Sequence, residues 1–340
     1  MKKLFFALII KAFLVSSVFG ADKVTLTIHS FQGPKAPTYT KFLNVWAKAV
    51  EKQSDGKIEV KVFPSMSLGG KPPELYKQVR DGSVDLVWTV TGYTPGVFPR
   101  TEVFELPTVH TNSAVATNMA IQDEFELLAD DYKDVHPILV HVHAGNAIHT
   151  TTKKINKVSD LKGLKLRSPT RTGVWLIEEL GAEPVGMPLP ALPQALSKNA
   201  VDGALIPYEV FPPLKFHQLT HHSLSLEGDS RFGTSVFLFA MNKDRYNKLS
   251  PELKKVIDNN SGRFIAKDIG QVWMDSEAPG IKMQKNSKKS TVAVASAKIT
   301  KDFNKVGQKV VNKWIKEMDK KGIDGKTLVK KARAAIARYE

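Results

Sequence analysis

Gln78-Val79-Arg80-Asp81-Gly82-Ser83-Val84-Asp85 and Gln194-Ala195-Leu196-Ser197-Lys198-Asn199-Ala200-Val201-Asp202 are one joint written twice: the end of a helix, a small or turn-forming residue, then Val-Asp entering a strand. Such a joint closes a crossover between strands, so its recurrence predicts two α/β units of similar construction. Upstream of the first copy, Val24, Leu26 and Ile28 alternate with polar residues, a strand pattern of period two. After a loop at Pro34 and Pro37, the residues Leu43, Trp46, Ala47 and Val50 recur at helical spacing. Beyond Gly56, Ile58, Val60 and Val62 alternate again. Pro72 and Pro73 open the helix that carries Leu75 and Val79, Gly82 stops it, and 84–90 reads as a buried strand. Strand, helix and strand repeated in this order imply a parallel sheet with crossover helices.

A helical stretch over 114–128 and a strand over 137–143 complete the first unit, and the second begins at Gly145. It holds a short strand over 164–166, a helix over 174–180 ended by Gly181, a helix over 191–198 and a strand over 201–206. Beyond it come a strand over 232–241 and a helix start at Ser250-Pro251-Glu252, with a capping serine, proline at the first position and an acid in the first turn. A short strand over 291–295 and two lysine-rich helical segments carry the chain to Glu340.

The composition of the 340 residues, 42% hydrophobic and 24% charged, is that of a globular chain with one large domain or two medium ones. Met1, Lys2 and Lys3 precede an apolar run that Lys11 interrupts and that closes at Val18-Phe19-Gly20-Ala21. A basic start, a short apolar run and small residues before a cut after Gly20 describe a secretory signal over 1–20, which implies a periplasmic protein. The interrupted run is shorter than the roughly 20 apolar residues of a spanning helix. The chain has no cysteine, which excludes disulfides, thiolate nucleophiles, thiolate zinc sites and a lipid-bearing N-terminal cysteine. A formal charge of +15 raises nucleic acid or an anionic membrane as a partner. The lysines are spread along helix faces, however, and the cluster Lys285, Lys288 and Lys289 has no interleaved aromatics. The reading is a solvated basic surface that attracts anionic solutes, with no nucleic-acid partner.

No Gly-x-Ser-x-Gly elbow, phosphate-cradling glycine loop, His-Glu-x-x-His or dinucleotide fingerprint occurs, so the sequence offers neither a catalytic constellation nor a cofactor site. His141 and His143 share one face of a strand, and His217, His221 and His222 lie close together, but neither group has further ligands at metal spacing. The arginines of Leu166-Arg167-Ser168-Pro169-Thr170-Arg171 are the candidates for ligand contact. Arg167 falls at the carboxyl end of a predicted strand, where ligands sit in open α/β sheets, and Arg171 follows one helical turn later. A guanidinium is a permanently charged planar fork that matches a carboxylate with two parallel hydrogen bonds.

Further stretches resemble the extracytoplasmic solute receptors of tripartite ATP-independent periplasmic (TRAP) transporters, the DctP family. They are Phe63-Pro64-Ser65 with Leu68-Gly69-Gly70, Asp81-Gly82-Ser83-Val84-Asp85, Phe104-Glu105-Leu106-Pro107, Asp160 through Arg167, Leu180-Gly181-Ala182 with Pro184 and Met187-Pro188, and Ala200-Val201-Asp202-Gly203. The resemblance implies a two-lobed periplasmic binding protein of type II-like fold, hinged by crossing strands. Lobe 1 then takes residues 21–143 plus about 232–255, lobe 2 takes 144–231 plus parts of about 280–340, and a long helix over about 251–280 runs along both. It also implies that Arg167 grips the carboxylate of an organic acid. The membrane partners would be a small four-helix subunit and a large permease driven by a sodium gradient, and no cofactor or ATP enters.

Two departures bear on the substrate. Many relatives have Gln-Glu-Asn after Val-Asp-Gly, where this chain reads Ala204-Leu205-Ile206-Pro207-Tyr208-Glu209. Where sialic-acid receptors carry a second arginine, it has Gly145-Asn146-Ala147-Ile148. The pocket is therefore expected to be more apolar, lined by Phe31, Trp88, Tyr93, Tyr208 and Phe211, with Glu209 as acceptor for a substrate hydroxyl or N–H and Asn146 as donor. The expected ligand is a monocarboxylate bearing a 2-hydroxy or 2-oxo group, with room for an apolar or aromatic tail. A ligand-sensing receptor for a signalling kinase and a periplasmic enzyme on an α/β scaffold are the competing readings.

Overall fold

A computed structural model describes residues 23–340, so the expected signal over 1–20 lies outside the described residues. The strands are β1 (Val24–Ser30), β2 (Ile58–Phe63), β3 (Leu86–Val90), β4 (Val135–Val142), β5 (Ala147–Thr150), β6 (Lys165–Ser168), β7 (Glu183–Gly186), β8 (Gly203–Ile206), β9 (His222–Ser225), β10 (Val236–Asn242) and β11 (Thr291–Val294). They form two sheets, ordered β2-β1-β3-β10-β4 and β11-β9-β5-β8-β6-β7. Helices cover both, giving the expected two-lobed α/β architecture.

The sheets are mixed, which corrects the expectation of parallel strands. β1 runs parallel to β2 and β3, but β10 is antiparallel to β3 and β4. In the second sheet β6 is parallel to β7 and β8, while β5 is antiparallel to β8 and β9. The reversed strands are the ones that cross between lobes. β4 passes to β5 and β9 passes to β10 without the helix that a parallel return requires. The crossing segments pair with each other, since Asn146 N donates to Gly233 O (2.8 Å) and Phe232 N donates to Asn146 O (2.8 Å). These two segments connect the lobes.

The single helix expected over 251–280 is two helices, Pro251–Asn259 and Arg263–Lys285. Gly262 separates them at φ 52°, ψ −128°, a conformation that only glycine adopts readily, and its N–H donates to Ile138 O. The longer helix packs on both lobes. In its first half Gly270 lies against Val115 and Ala266 O accepts from Asn118 Nδ2 (3.2 Å). In its second half Gly280 lies over the Tyr208 carbonyl and Gln284 Nε2 donates to Thr220 O (3.0 Å).

Candidate ligand-binding site

Arg167 reaches the cleft because its strand is cut short. Pro169 cannot donate to a ladder, and Thr170 turns the chain by capping the helix Arg171–Glu179, its hydroxyl accepting from Gly173 N (3.1 Å). The side chain is buried between the neighbouring strands. Its Nε donates to Met187 O (2.9 Å), beyond β7, and its Nη1 to Leu205 O (3.3 Å), on β8. Nη2 is buried without a partner, and no carboxylate among the described residues pairs with the guanidinium. Burial lowers its pKa and the Tyr93 hydroxyl opposes that, but a guanidinium stays charged. A buried cation whose Nη2 N–H groups are unpartnered calls for an anion.

Phe31, Tyr93, Asn146, Arg167 and Glu209 line one cavity of about 30 Å³. Asn146 Oδ1 and Glu209 Oε2 are also buried without partners. Burial raises the Glu209 pKa well above the carboxylate range, and the nearby Glu277 carboxylate adds to this. Sequence reasoning passed over His143, Gln32, Ser235 and Phe237, which line the same cavity. His143 was visible only as one of two histidines on a strand face. Its Nδ1 accepts from Gly145 N (2.8 Å), and burial holds it neutral, so the proton sits on Nε2. The cavity adjoins an apolar groove of about 420 Å³ at the cleft mouth; Phe31, Gln32, Leu189, Glu209 and Val210 line both.

The other expected residues lie elsewhere. Trp88 sits one layer behind Phe31 (ring centroids 5.1 Å apart), with Nε1 donating to His141 Nε2 (3.0 Å). Tyr208 stands edge-on to His149 and Phe211 packs between Tyr208 and Phe216, all within the core of the second lobe. Arg171 is held by Glu102 of the first lobe: Nε donates to Oε1 (3.1 Å), Nη2 pairs with Oε2, and the guanidinium lies over Trp175. It clasps the two lobes together. Two more bonds cross beside it, Leu189 N to the Tyr93 hydroxyl (2.9 Å) and the Thr172 hydroxyl to Glu105 Oε2 (3.2 Å). Burial, with the Glu102 charge adding, pushes the Glu105 pKa up to about 8.

Two hinged α/β lobes enclosing a buried cation and a largely apolar cleft define a solute-binding receptor. Residues 29–317 match the profile of the bacterial extracellular solute-binding proteins, family 7. The chain belongs to that family, the DctP proteins, which are periplasmic receptors for small organic acids in TRAP transport. A marine metagenome TRAP solute-binding protein specific for aromatic acid ligands is 44% identical, with a TM-score of 0.91 over 94% of this chain and 100% of that one; it was crystallised with meta-hydroxyphenylacetate and, separately, with 3-hydroxybenzoate. A TRAP solute-binding protein from Rhodoferax ferrireducens, holding copurified benzoate, is 41% identical with a TM-score of 0.89 over 93% of this chain and 98% of its own. One from Bordetella bronchiseptica, with bound (R)- and (S)-mandelate, is 25% identical with a TM-score of 0.86 over 93% and 100%.

Proposed function

We propose that this chain captures an aryl carboxylic acid between its lobes, with the carboxylate on Arg167, and delivers it to the small and large membrane subunits of a TRAP transporter. The observation that carries the reading is the buried Arg167 guanidinium with Nη2 unpaired in a cavity walled by Phe31, Tyr93 and Phe237. The aromatic acids held by the 44% and 41% identical relatives support the ring. Benzoate in one of them has no 2-hydroxy or 2-oxo group, which favours the aromatic tail over that group as the defining feature. The basic, apolar and small-residue order of residues 1–20 supports export, with cleavage near Gly20 and Ala21.

A thermal-shift screen of organic acids followed by calorimetry tests this, since a ligand that binds only the native state raises the melting temperature by mass action. Benzoate-type acids should stabilise the protein and be recovered unchanged. Tight binding of a dicarboxylate or of sialic acid, with no response to any aryl acid, would overturn the substrate class. Recovery of a converted acid would overturn the receptor reading in favour of an enzyme.

A further inference from the structure

Glu209 stands where the inner cavity meets the outer apolar groove and lines both. It follows β8, whose register partner β6 carries Arg167, so the two side chains rise from the same edge of one sheet. Its backbone is fixed, because Glu209 N donates to Glu277 Oε1 (2.9 Å) on the long helix. Glu277 is itself engaged by a buried cation, since Arg231 Nη2 donates to Glu277 Oε2 (3.2 Å). Glu209 is thus a carboxyl group that makes no ion pair among the described residues, 2% exposed, with Oε2 unpartnered. Burial and the Glu277 charge both favour its protonated form. A protonated carboxyl has one O–H donor and acceptor capacity besides, which is the complement of a hydroxyl group.

We propose that Glu209 is a specificity-determining residue of this cleft: it pairs with a hydroxyl on the aryl acid whose carboxylate lies at Arg167, so the preferred ligands are hydroxyaryl acids. This rests on the aryl-acid reading above and adds to it a residue and a substituent. An acid without the hydroxyl leaves Glu209 Oε2 buried and unpaired in the closed complex, which disfavours it by about tenfold or more. A methoxy group keeps the oxygen but has lost the donor and is larger, so it does not substitute.

Calorimetry on the wild-type chain, with benzoate, 3- and 4-hydroxybenzoate and the matching methoxybenzoates, reads the effect as a ratio of dissociation constants. The better hydroxybenzoate should bind about tenfold or more tighter than benzoate and than its methoxy analogue. Glu209→Gln, whose amide also donates and accepts, should keep that ratio within about threefold. Glu209→Leu should bring it to about one, whatever it does to benzoate itself. Equal affinities for benzoate and both hydroxybenzoates in the wild-type chain would overturn the proposal while leaving the aryl-acid reading intact. So would a preference that survives Glu209→Leu or is abolished by Glu209→Gln. A wild-type chain that binds no aryl acid would overturn both. Should Glu209→Leu fail to fold, the wild-type ratios and Glu209→Gln still decide.

Discussion

Arg167 donates two of its N–H groups to main-chain carbonyls, and that is why its head group cannot swing away to find water when the cleft is empty of anion. The fork is pre-oriented, so binding need not order it. Arg167→Ala should weaken aryl-acid binding by about 2–5 kcal/mol, roughly 30-fold to several thousandfold, because the ligand carboxylate is then stranded in a desolvated cleft. Arg167→Lys should fall between the two, since an ammonium keeps the charge but cannot serve both carbonyls and the ligand in one plane. Calorimetry checks both, and an Arg167→Ala protein with unchanged affinity would refute the site. Arg167 was legible in the sequence because a strand, a proline and a cap follow one another within a few residues. Arg171 was legible as a cation near the same edge but not as a clasp, because its partner Glu102 lies 69 positions away in the other lobe. Trp88, Tyr208 and Phe211 show the same limit: position at a strand end does not reveal whether a ring is the wall of a cavity or the layer behind it. For Tyr208 and Phe211 the answer came from His149, brought to them by a strand that has no periodic signal.

Sequence reasoning missed the strands β5, β7 and β9, whose four residues are too few for alternation alone to declare them, although it read β6, β8 and β11 of the same length. The longer elements were legible because an apolar stripe or alternation repeats several times along them. The break at Gly262 was missed for a different reason: a capped, amphipathic start at Ser250-Pro251 says where a helix begins, and only the Ile138 carbonyl of a distant strand decides where it must stop. Within the helix Arg263–Lys285, Pro279 removes one backbone donor and Gly280 lets the backbone approach the turn that carries Glu209. A Cβ on Gly280 would lie 2.0 Å from the Tyr208 carbonyl oxygen and 2.7 Å from its carbon. Those are main-chain atoms, so the helix must move as a body. Gly280→Ala should therefore destabilise the fold by about 1–3 kcal/mol despite the better helix propensity of alanine, and weaken ligand binding because Glu209 moves with the turn. Chemical denaturation checks the first effect and calorimetry the second. A Gly280→Ala protein of unchanged or higher stability would show that the helix does not rest on this turn.

Buried titratable groups of both kinds set how the whole molecule responds to pH. His110, His141 and His149 have pKa values lowered by burial to about 4, 3 and 3, and His143 lies well below the ordinary range as well. Below about pH 6.5 the unfolded chain binds those protons and the native chain does not, so they make stability fall as pH falls. Asp131 at about 6, Glu105 at about 8, and Glu209, raised by burial, act in the opposite sense: the native chain holds protons that the unfolded chain has released. Between about pH 4.5 and 6.5 the two sets oppose each other; below that window the histidines destabilise without that opposition, and above it the acids do. The melting temperature should change less across that window than on either side of it, where it falls, and Glu105→Gln should shallow the decline between about pH 6.5 and 8. A melting temperature that rises through pH 8 would contradict this balance. The motion of the lobes offers a test of a different kind. The cavity of about 30 Å³ is far smaller than the roughly 150 Å³ that holds a benzene ring, so an aryl acid enters and seats only if the lobes part and close again around it. Gly92, beyond β3 in the first lobe, meets Thr170 of the second: a Cβ there would lie 2.7 Å from Thr170 Cγ2 and 3.1 Å from its Cα. In the parted state that contact does not exist. Gly92→Leu should consequently leave the ligand-free protein folded with little change in melting temperature, yet wedge the lobes apart and weaken aryl-acid binding by about tenfold or more. Small-angle scattering should show the wild-type chain contracting at saturating ligand and Gly92→Leu keeping its ligand-free dimensions. If Gly92→Leu contracts as the wild type does and binds with the same affinity, the seam at Thr170 is not where closure is completed, and the clasp from Arg171 to Glu102 beside it must yield independently of the ligand.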